Sequence, residues 1–187
     1  MTINTFNRLL IALVVLFSTT ANAYEMIITG GVQTTDVDID GGNPSGGTGF
    51  YVGVLGLADA GPGGFFRTGA LLSQRKFENE STGIATLKAE MLSLDVPLTY
   101  LFMFSEMVGA FGGLKLGLNL SDSCKTNVAG IICETKAESL HYAAEFGGQF
   151  RFAPDMGVEV AFNLGLSDIA EDVEWKSGIS AGFTYFY

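Results

Sequence analysis

Apolar and polar residues alternate along most of the chain after its first 23 residues. In the C-terminal stretch ISAGFTYFY, every second position counted back from the last residue is apolar or aromatic, namely Ile179, Ala181, Phe183, Tyr185 and Tyr187. Successive side chains of a β-strand point to opposite faces, so this period of two predicts a strand with one apolar face. Phe186 is the one bulky side chain on the other face.

The same period predicts eight strands, which turn-forming residues separate. They are YEMIITGGVQ, FYVGVLGLA, FFRTGALLSQRKF, ATLKAEMLSLDVPLTYLF, MVGAFGGLKLGLNL, ESLHYAAEFGGQFRF, GVEVAFNLGLS and WKSGISAGFTYFY. Glycine is scattered through these segments, and it disfavours a helix by about 1 kcal/mol per residue. The stretch VPLTYLFMFSEMVGAFGGL is apolar enough for a transmembrane helix. Its proline, its polar break and its glycines instead favour two strands joined by a tight turn at residues 104–107.

The connections between the predicted strands alternate in length. ADAGPGG, FMFSEM and APDMG are short, whereas TTDVDIDGGNPSGGTG, KFENESTGI, the segment around the two cysteines and SDIAEDVE are longer and more acidic. Short turns at one end and long loops at the other are typical of bacterial outer-membrane barrels, whose long loops are extracellular. We therefore predict an all-β fold, an eight-stranded antiparallel up-and-down transmembrane β-barrel.

The first 23 residues have the features of a signal peptide. Arg8 precedes the nine-residue apolar stretch LLIALVVLF, and the segment ends in Ala21-Asn22-Ala23, the small-x-small pattern that signal peptidase cleaves. Nine apolar residues are too few to span a bilayer, which takes about 20. The sequence predicts an exported protein with a signal peptide at 1–23 and one outer-membrane β-barrel domain at 24–187.

The apolar face of each strand could point into the barrel or out of it. An eight-stranded barrel has a lumen only wide enough for its own side chains, and the leucine and aromatic side chains of all strands are too bulky to share it. We predict that they face lipid, and that glycine and opposite charges fill the lumen. The predicted polar network of the lumen is Arg67, Arg75, Lys88, Glu90, Lys115, His141, Glu145, Arg151, Glu159 and Lys176.

Aromatic residues near the ends of strands are expected to form belts at the two membrane interfaces. These residues are Phe50, Tyr51, Phe65, Phe66, Phe77, Tyr100, Phe102, Phe152, Trp175, Tyr185 and Tyr187. An unpaired strand edge is intolerable in hydrocarbon, so the terminal strand must pair with the first strand.

Several segments resemble one known family. Phe183, Tyr185 and Tyr187 look like the C-terminal insertion signal that the outer-membrane assembly machinery reads. LSLDVPLTYLF, a strand that leads into a turn at Asp-Val-Pro-Leu, resembles the small outer-membrane β-barrels of OmpA/OmpX type, often grouped as porin family barrels. GVEVAFNLGLSDI and KSGISAGFTYFY are similar to the last hairpin of that family. The resemblance implies the outer membrane of a Gram-negative bacterium, a monomer, and contact with membrane lipid and lipopolysaccharide.

Charge and cysteine content restrict the classes of partner and of metal site that the chain can have. Arg8 is the only charged residue of the predicted signal peptide, so the remaining chain carries nine Lys+Arg and 20 Asp+Glu, a formal charge of −11. This excess argues against nucleic acid or anionic lipid as a partner, because both require a basic face. Cys124 and Cys133 predict a local disulfide in an oxidising compartment. Two cysteines and one histidine are too few for a zinc site.

Two groups of residues are candidates for chemistry. Asp36, Asp38 and Asp40 in DVDIDGG match the start of a calcium-binding loop, but the twelfth position is Gly47 instead of glutamate, so they are only a weak metal candidate. Ser139, His141 and Glu145 share one face of the predicted sixth strand, and some small outer-membrane barrels hydrolyse lipid with such residues. In an extended strand His141 and Glu145 are ~13 Å apart, which favours a structural role.

The sequence predicts no catalytic residue and no cofactor. The function it favours is a non-enzymatic structural or surface-interaction role in the bacterial envelope. Three alternatives stay open at this stage: a narrow pore for ions or small solutes, a lipid-modifying enzyme that uses His141, and a soluble periplasmic barrel that binds an apolar ligand.

Overall fold

The computed structural model describes residues 25–39, 44–81, 85–126, 138–170 and 173–187. The predicted signal peptide lies outside this part of the chain. The described residues form nine strands: β1 Glu25–Ile39, β2 Pro44–Asp59, β3 Gly64–Ser81, β4 Ala85–Met103, β5 Val108–Thr126, β6 Leu140–Ala153, β7 Met156–Gly165, β8 Asp168–Ala170 and β9 Val173–Phe186.

Eight of these strands form a closed antiparallel barrel. Consecutive strands pair from β1 to β7, β7 pairs with β9, and β9 returns to β1, where Ile27 lies opposite Phe186 and Gly31 opposite Gly182. The pairing of the last strand with the first confirms the predicted closure and the eight-stranded up-and-down topology. β8 is an additional strand of three residues that pairs only with β9.

The strands are longer than the sequence pattern predicts at one end of the barrel. The turn at residues 104–107 is present as predicted, and Gly61 and Gly63 adopt positive φ in the β2–β3 turn. At the opposite end, β3 and β4 stay paired up to Ser81 and Ala85, so most of the predicted loop KFENESTGI is strand. Since about 9–11 residues span the membrane, β3, β4 and β5 with 18, 19 and 19 residues extend beyond it.

The lipid-facing side of the barrel carries the apolar residues. Leu114, Val160 and Phe183 are exposed by 48%, 53% and 69%, and they lie at positions that alternate with buried ones. This arrangement confirms the predicted outward orientation. The soluble barrel with an apolar ligand inside is therefore wrong, because its leucines would have to point into the lumen. No helix among the described residues is long and apolar enough to cross a membrane.

The lumen contains more apolar residues than we predicted. An inner cluster near the short turns includes Leu55, Leu57, Leu101, Phe111 and Phe186. An outer cluster near the opposite end consists of Val37, Phe77, Ala89, Met91, Ala143, Ile169, Ala170, Val173 and Trp175. The polar residues of the lumen lie between and beside the two clusters, and some of them contact cluster residues, as Arg67 contacts Phe111 and Arg75 contacts Trp175.

Four of the predicted interface aromatic residues belong to the lumen instead, and one of them, Phe65, is partly buried against the inner cluster. Tyr51, Phe77 and Trp175 are exposed by only 5%, 4% and 3%. The prediction that aromatic side chains are too bulky for the lumen is therefore wrong for these residues. For Tyr51 the space is supplied by Gly182, where a Cβ atom would overlap the Tyr51 hydroxyl.

Candidate functional site

The candidate site is the polar interior of the barrel. Of the ten residues predicted to line it, six are buried inside it: Arg67, Arg75, Lys115, His141, Glu145 and Glu159. Arg151 also faces inward but lies near the mouth with the short turns, and 18% of its side chain remains exposed.

The most buried ion pair joins β3 to β4. Arg75 donates two hydrogen bonds to the Asp95 carboxylate, at 2.6 Å and 3.4 Å, and Asp95 also accepts a hydrogen bond of 2.9 Å from Ser93. His141 Nε2 lies 3.6 Å from the same carboxylate. Two potential cations and a hydroxyl thus surround one carboxylate that has no contact with solvent.

His141 reaches Asp95 because a glycine lies between them. In the sheet, Asp95 on β4 is opposite Gly117 on β5, and Gly117 is opposite His141 on β6. A Cβ atom at Gly117 would overlap the imidazole ring. The His141 ring therefore crosses β5 at Gly117, where no side chain stands in its way.

A second cluster surrounds Glu159 on β7. Its carboxylate accepts hydrogen bonds from Arg67 at 3.0 Å, from Thr29 at 3.1 Å and from the Tyr51 hydroxyl at 3.3 Å. Tyr51 crosses over Gly182, where a Cβ atom would overlap its hydroxyl. Hydrogen bonds thereby link β1, β2 and β3 to one carboxylate on β7, which is distant from them in sequence.

Two further ion pairs complete the network. Lys115 contacts Glu145 at 2.6 Å and donates a hydrogen bond of 2.7 Å to Asn163. Near the mouth with the short turns, Arg151 donates two hydrogen bonds to the Glu25 carboxylate, at 3.1 Å and 2.6 Å.

Each arginine of the lumen also stacks on an aromatic ring. The guanidinium carbons lie 4.0 Å from the Phe111 ring centre for Arg67, 4.7 Å from Trp175 for Arg75, and 3.7 Å from Phe186 for Arg151. A cation above an aromatic face is stabilised by the ring quadrupole, most strongly where water is excluded. This contact explains why these aromatic residues occupy the lumen.

The charges of the described lumen balance. Arg67, Arg75, Lys115 and Arg151 each contact one carboxylate, which belongs to Glu159, Asp95, Glu145 and Glu25 respectively. Such pairing is costly to break, because removing one partner leaves an uncompensated buried charge. The arrangement therefore holds the strands together and offers no excess of one sign to attract an ion.

Lys88, Glu90 and Lys176 are not in the lumen, contrary to the prediction. On β4, Asp95, Ser93 and Met91 face inward, so the even-numbered Lys88 and Glu90 share the outward face. On β9, the register shifts between the pairs Asp36–Ser177 and Val37–Trp175, which turns Trp175 inward and leaves Lys176 outside. All three lie beyond the apolar band, where outward charges meet water.

The structure does not assemble the residues of the enzyme alternative. Ser139 precedes β6 and is exposed, whereas His141 and Glu145 are buried in separate ion-pair clusters of the lumen. These buried side chains have no access to a lipid substrate on the outer surface.

The two remaining candidate sites fall partly outside the described residues. Asp36 is exposed and Asp38 contacts Lys176 at 2.6 Å, while Asp40 lies outside the described part. Within that part, no three side chains of histidine, cysteine, aspartate or glutamate are placed to hold a metal ion. Cys133 also lies outside it, so the disulfide with Cys124 stays a prediction.

Sequence reasoning missed several partners in the lumen. Asp95, Glu25 and Asn163 complete ion pairs or hydrogen bonds with predicted residues, and Ser93 and Tyr51 support them. A signal for Asp95 was present, because it alternates with Leu94 and Val96. Asp95 and Pro97 both belong to β4, so the predicted turn at Asp-Val-Pro-Leu is wrong.

Comparison with known proteins agrees with this geometry. Residues 9–186 match the family model described as outer membrane protein beta-barrel domain. No curated protein sequence matches the chain.

Three crystal structures share the fold at low sequence identity. Ail, the attachment invasion locus protein of Yersinia pestis, solved with the heparin analogue sucrose octasulfate, is 16% identical, covers 87% of this chain and 98% of its own, and gives a TM-score of 0.55. Neisserial surface protein A is 11% identical over 86% and 96%, with a TM-score of 0.55. OprG from Pseudomonas aeruginosa is 14% identical over 89% and 97%, with a TM-score of 0.54. The predicted resemblance is confirmed: the chain belongs to the outer membrane protein beta-barrel domain family, as a small barrel of OmpA/OmpX-like type in the outer membrane of a Gram-negative bacterium.

Proposed function

We propose that this protein is a monomeric, non-conducting and non-enzymatic barrel that stabilises the outer membrane and presents an acidic extracellular end to other surfaces. The observation that carries the proposal is the charge-paired lumen, in which four cations contact four carboxylates alongside two apolar clusters. A lumen of this kind serves to fix the barrel. Ion transport would require a continuous polar path.

The extracellular end favours partners other than polyanions. Ail was solved with a heparin analogue, but this chain carries 20 acidic residues against 10 basic ones. Four of the basic residues are in lumen ion pairs. Outside these pairs, acidic residues still outnumber basic ones, and this negative charge repels sulfated sugars. Basic surfaces and divalent cations bound to lipopolysaccharide are therefore the better partners.

Insertion depends on the C-terminal strand in this proposal. Phe183, Tyr185 and Tyr187 are exposed by 69%, 43% and 87%; the first two project from the outer face of β9, and Tyr187 directly follows this strand. Side chains in this position are accessible to the assembly machinery before the barrel closes. Afterwards they contact lipid.

The test combines gel mobility with electrical recording. The mature protein is refolded in detergent, and we expect the unboiled band to migrate differently from the boiled band and at the size of a monomer. In planar lipid bilayers we expect no stepwise ion conductance, with a general porin as the positive control. Discrete conductance steps would revive the pore alternative and contradict the proposal.

A second measurement tests the absence of catalysis. The folded protein is incubated with phospholipid and lipopolysaccharide vesicles, and the lipids are analysed by mass spectrometry. We expect the lipid masses to stay unchanged. A loss or transfer of acyl chains that disappears in His141→Gln would establish the enzyme alternative.

A further inference from the structure

The seam where β1 pairs with β9 closes the barrel over a long distance in sequence. Thr29 and Phe183, which contact each other across it through a hydrogen bond of 3.2 Å, are 154 residues apart. The other neighbouring strands of the barrel are connected by much shorter segments. Closing a longer loop costs more conformational entropy, and pairings distant in sequence form late in folding. The seam is therefore the part of the barrel that gains most from an additional contact.

One end of the seam lies at the mouth with the short turns. β1 begins there at Glu25, and β9 ends there at Phe186, which lies opposite Ile27. Met26 and Tyr187 exchange two backbone hydrogen bonds, of 3.1 Å and 2.8 Å. The end of a ladder opens more readily than its centre, because it has a paired neighbour on one side only. Opening of the seam can therefore begin at this mouth.

A side chain from β6 reaches this end of the seam. Arg151 donates hydrogen bonds of 3.1 Å and 2.6 Å to the Glu25 carboxylate, 126 residues away in sequence. Two strands, β7 and β9, lie between β6 and β1 in the sheet. Arg151 is opposite Gly157 on β7, so no side chain at that position obstructs the guanidinium. The ion pair thus links β1 to a strand on the other side of the seam.

The Arg151 guanidinium also contacts the second strand of the seam. Its central carbon lies 3.7 Å from the ring centre of Phe186 on β9. Two hydrogen bonds from one guanidinium to one carboxylate form a strong, charge-assisted contact, and stacking of a cation on a ring is strongest where water is excluded. The Arg151 and Glu25 side chains are only 18% and 22% exposed. One guanidinium therefore holds both seam strands at once.

The ion pair of Arg151 with Glu25 differs from the others in its position. Of the four lumen ion pairs described above, it alone includes a residue of β1 or β9. On the outer surface, Lys176 contacts Asp38 at 2.6 Å across the opposite end of the same seam. These two side chains are 51% and 49% exposed, and an exposed pair contributes little because water and salt screen it. The seam thus has one shielded ion pair and one exposed ion pair.

We propose that Arg151, Phe186 and Glu25 form a seam lock, a contact that keeps the closed barrel from opening between β1 and β9. The lock assembles only after the seam has paired, because its three residues come from three strands that meet at the closed mouth. A contact that forms after closure slows reopening and leaves the folding rate unchanged. This role goes beyond the proposed envelope function and does not depend on whether the lumen conducts.

The test is backbone amide hydrogen exchange of the folded mature barrel in lipid nanodiscs, followed by NMR. Glu25→Gln should raise the exchange rates of the paired residues 27–31 and 182–186 about tenfold, the factor expected for loss of one charge-assisted hydrogen bond. Residues 65–68 and 98–101 pair between β3 and β4 at the same mouth, and their exchange should stay unchanged. Phe186→Leu keeps an apolar side chain without the ring and should give a smaller increase at the seam.

Two further variants separate the lock from a general loss of charge. The matched control is Asp38→Asn, which also removes a carboxylate of β1 and an ion pair of the seam. It should change the exchange rates by less than about twofold, because its pair is exposed. Arg151→Lys keeps the positive charge but loses the planar fork that binds a carboxylate through two hydrogen bonds. We expect it to raise exchange at the seam less than Glu25→Gln does.

Three results would overturn the seam lock. Unchanged exchange at the seam in Glu25→Gln would show that the ion pair does not restrain it. A uniform increase in all strands would show that the pair contributes only to overall stability. Slower folding of Glu25→Gln, followed by gel mobility over time, would place the contact before closure. Bilayer recordings on the same preparations report the proposed function separately, so its failure is distinguishable from failure of the lock.

Discussion

Arg75 and Lys76 are adjacent in sequence, yet they form ion pairs in opposite environments. Arg75 points into the lumen, where its contact with Asp95 is 2.6 Å and both side chains are at most 2% exposed. Lys76 points outward, where its contact with Glu90 is 3.6 Å and both side chains are 40% exposed. The alternation of one strand thus decides whether an ion pair is part of the barrel interior or of its surface.

The difference has an energetic consequence. In the lumen, each charge has lost its water, so its partner is the main source of compensation. At the surface, water and salt replace a lost partner. We therefore expect the same chemical change to have large effects on one face and small effects on the other.

The largest expected effect follows removal of Asp95. Asp95→Ala leaves Arg75 buried without a carboxylate, and we expect a loss of about 3–5 kcal/mol in the free energy of unfolding. Urea unfolding in lipid vesicles measures it, with the fluorescence of Trp175, the only tryptophan of the chain, as the probe.

Two variants sharpen this result. Glu90→Ala is the matched control on the outward face and should cost less than about 1 kcal/mol. Replacing Arg75 and Asp95 together with leucine removes both charges and should recover most of the stability. Equal losses for Asp95→Ala and Glu90→Ala would contradict the buried position of the Arg75–Asp95 pair.

The next largest effect concerns a charge introduced on the lipid face. Leu114 is outward-facing in the middle of β5, and Leu114→Lys should cost about 2–4 kcal/mol, as charged residues do near the bilayer midplane. Leu120→Lys, at the upper edge of the apolar face of β5, should cost about 0–1 kcal/mol. The same unfolding titration compares them, and a larger loss for Leu120→Lys would mean that the membrane band is misplaced.

A smaller effect is expected where His141 crosses Gly117. Gly117→Ala places a methyl group in the space of the imidazole, so the ring must move away from Asp95, at about 1–3 kcal/mol for overpacking. Gly148→Ala is the matched control, because a Cβ atom there faces lipid, and the nearest neighbouring atom, the Gly109 carbonyl oxygen, is 3.7 Å away. Equal unfolding midpoints for the two variants would show that His141 does not need the glycine.

These effects also show how far the sequence predicts the structure. The period of two placed Leu114 outside and Lys115 inside, since alternation is a local property of a strand. It failed for Lys176, because a register irregularity near Ser177 reverses the faces of β9, and such an irregularity has no clear sequence signal. Lys88 and Glu90 were misplaced because β4 continues beyond the membrane, where an outward position no longer has to be apolar.

The candidate site was only half predictable for a related reason. The cations of the lumen were found from their alternation with leucine, but their partners depend on which strands meet across the barrel. Glu159 contacts Arg67, 92 residues earlier in the chain. Trp175 was predicted to lie at the membrane interface, Phe186 was placed on the face opposite the lipid-facing residues, and Phe111 was given no role. Their contacts with the arginines depend on the same long-range geometry.

The smallest expected effect is the coupling between Lys76 and Glu90. A double-mutant cycle with Lys76→Gln and Glu90→Gln should give an interaction free energy below about 1 kcal/mol, and added salt should reduce it further. The cycle is measured by urea unfolding at low and high ionic strength. A coupling as large as that of Arg75 with Asp95, insensitive to salt, would mean that the outward pair is shielded from water, and the contrast between the two faces of β3 would be lost.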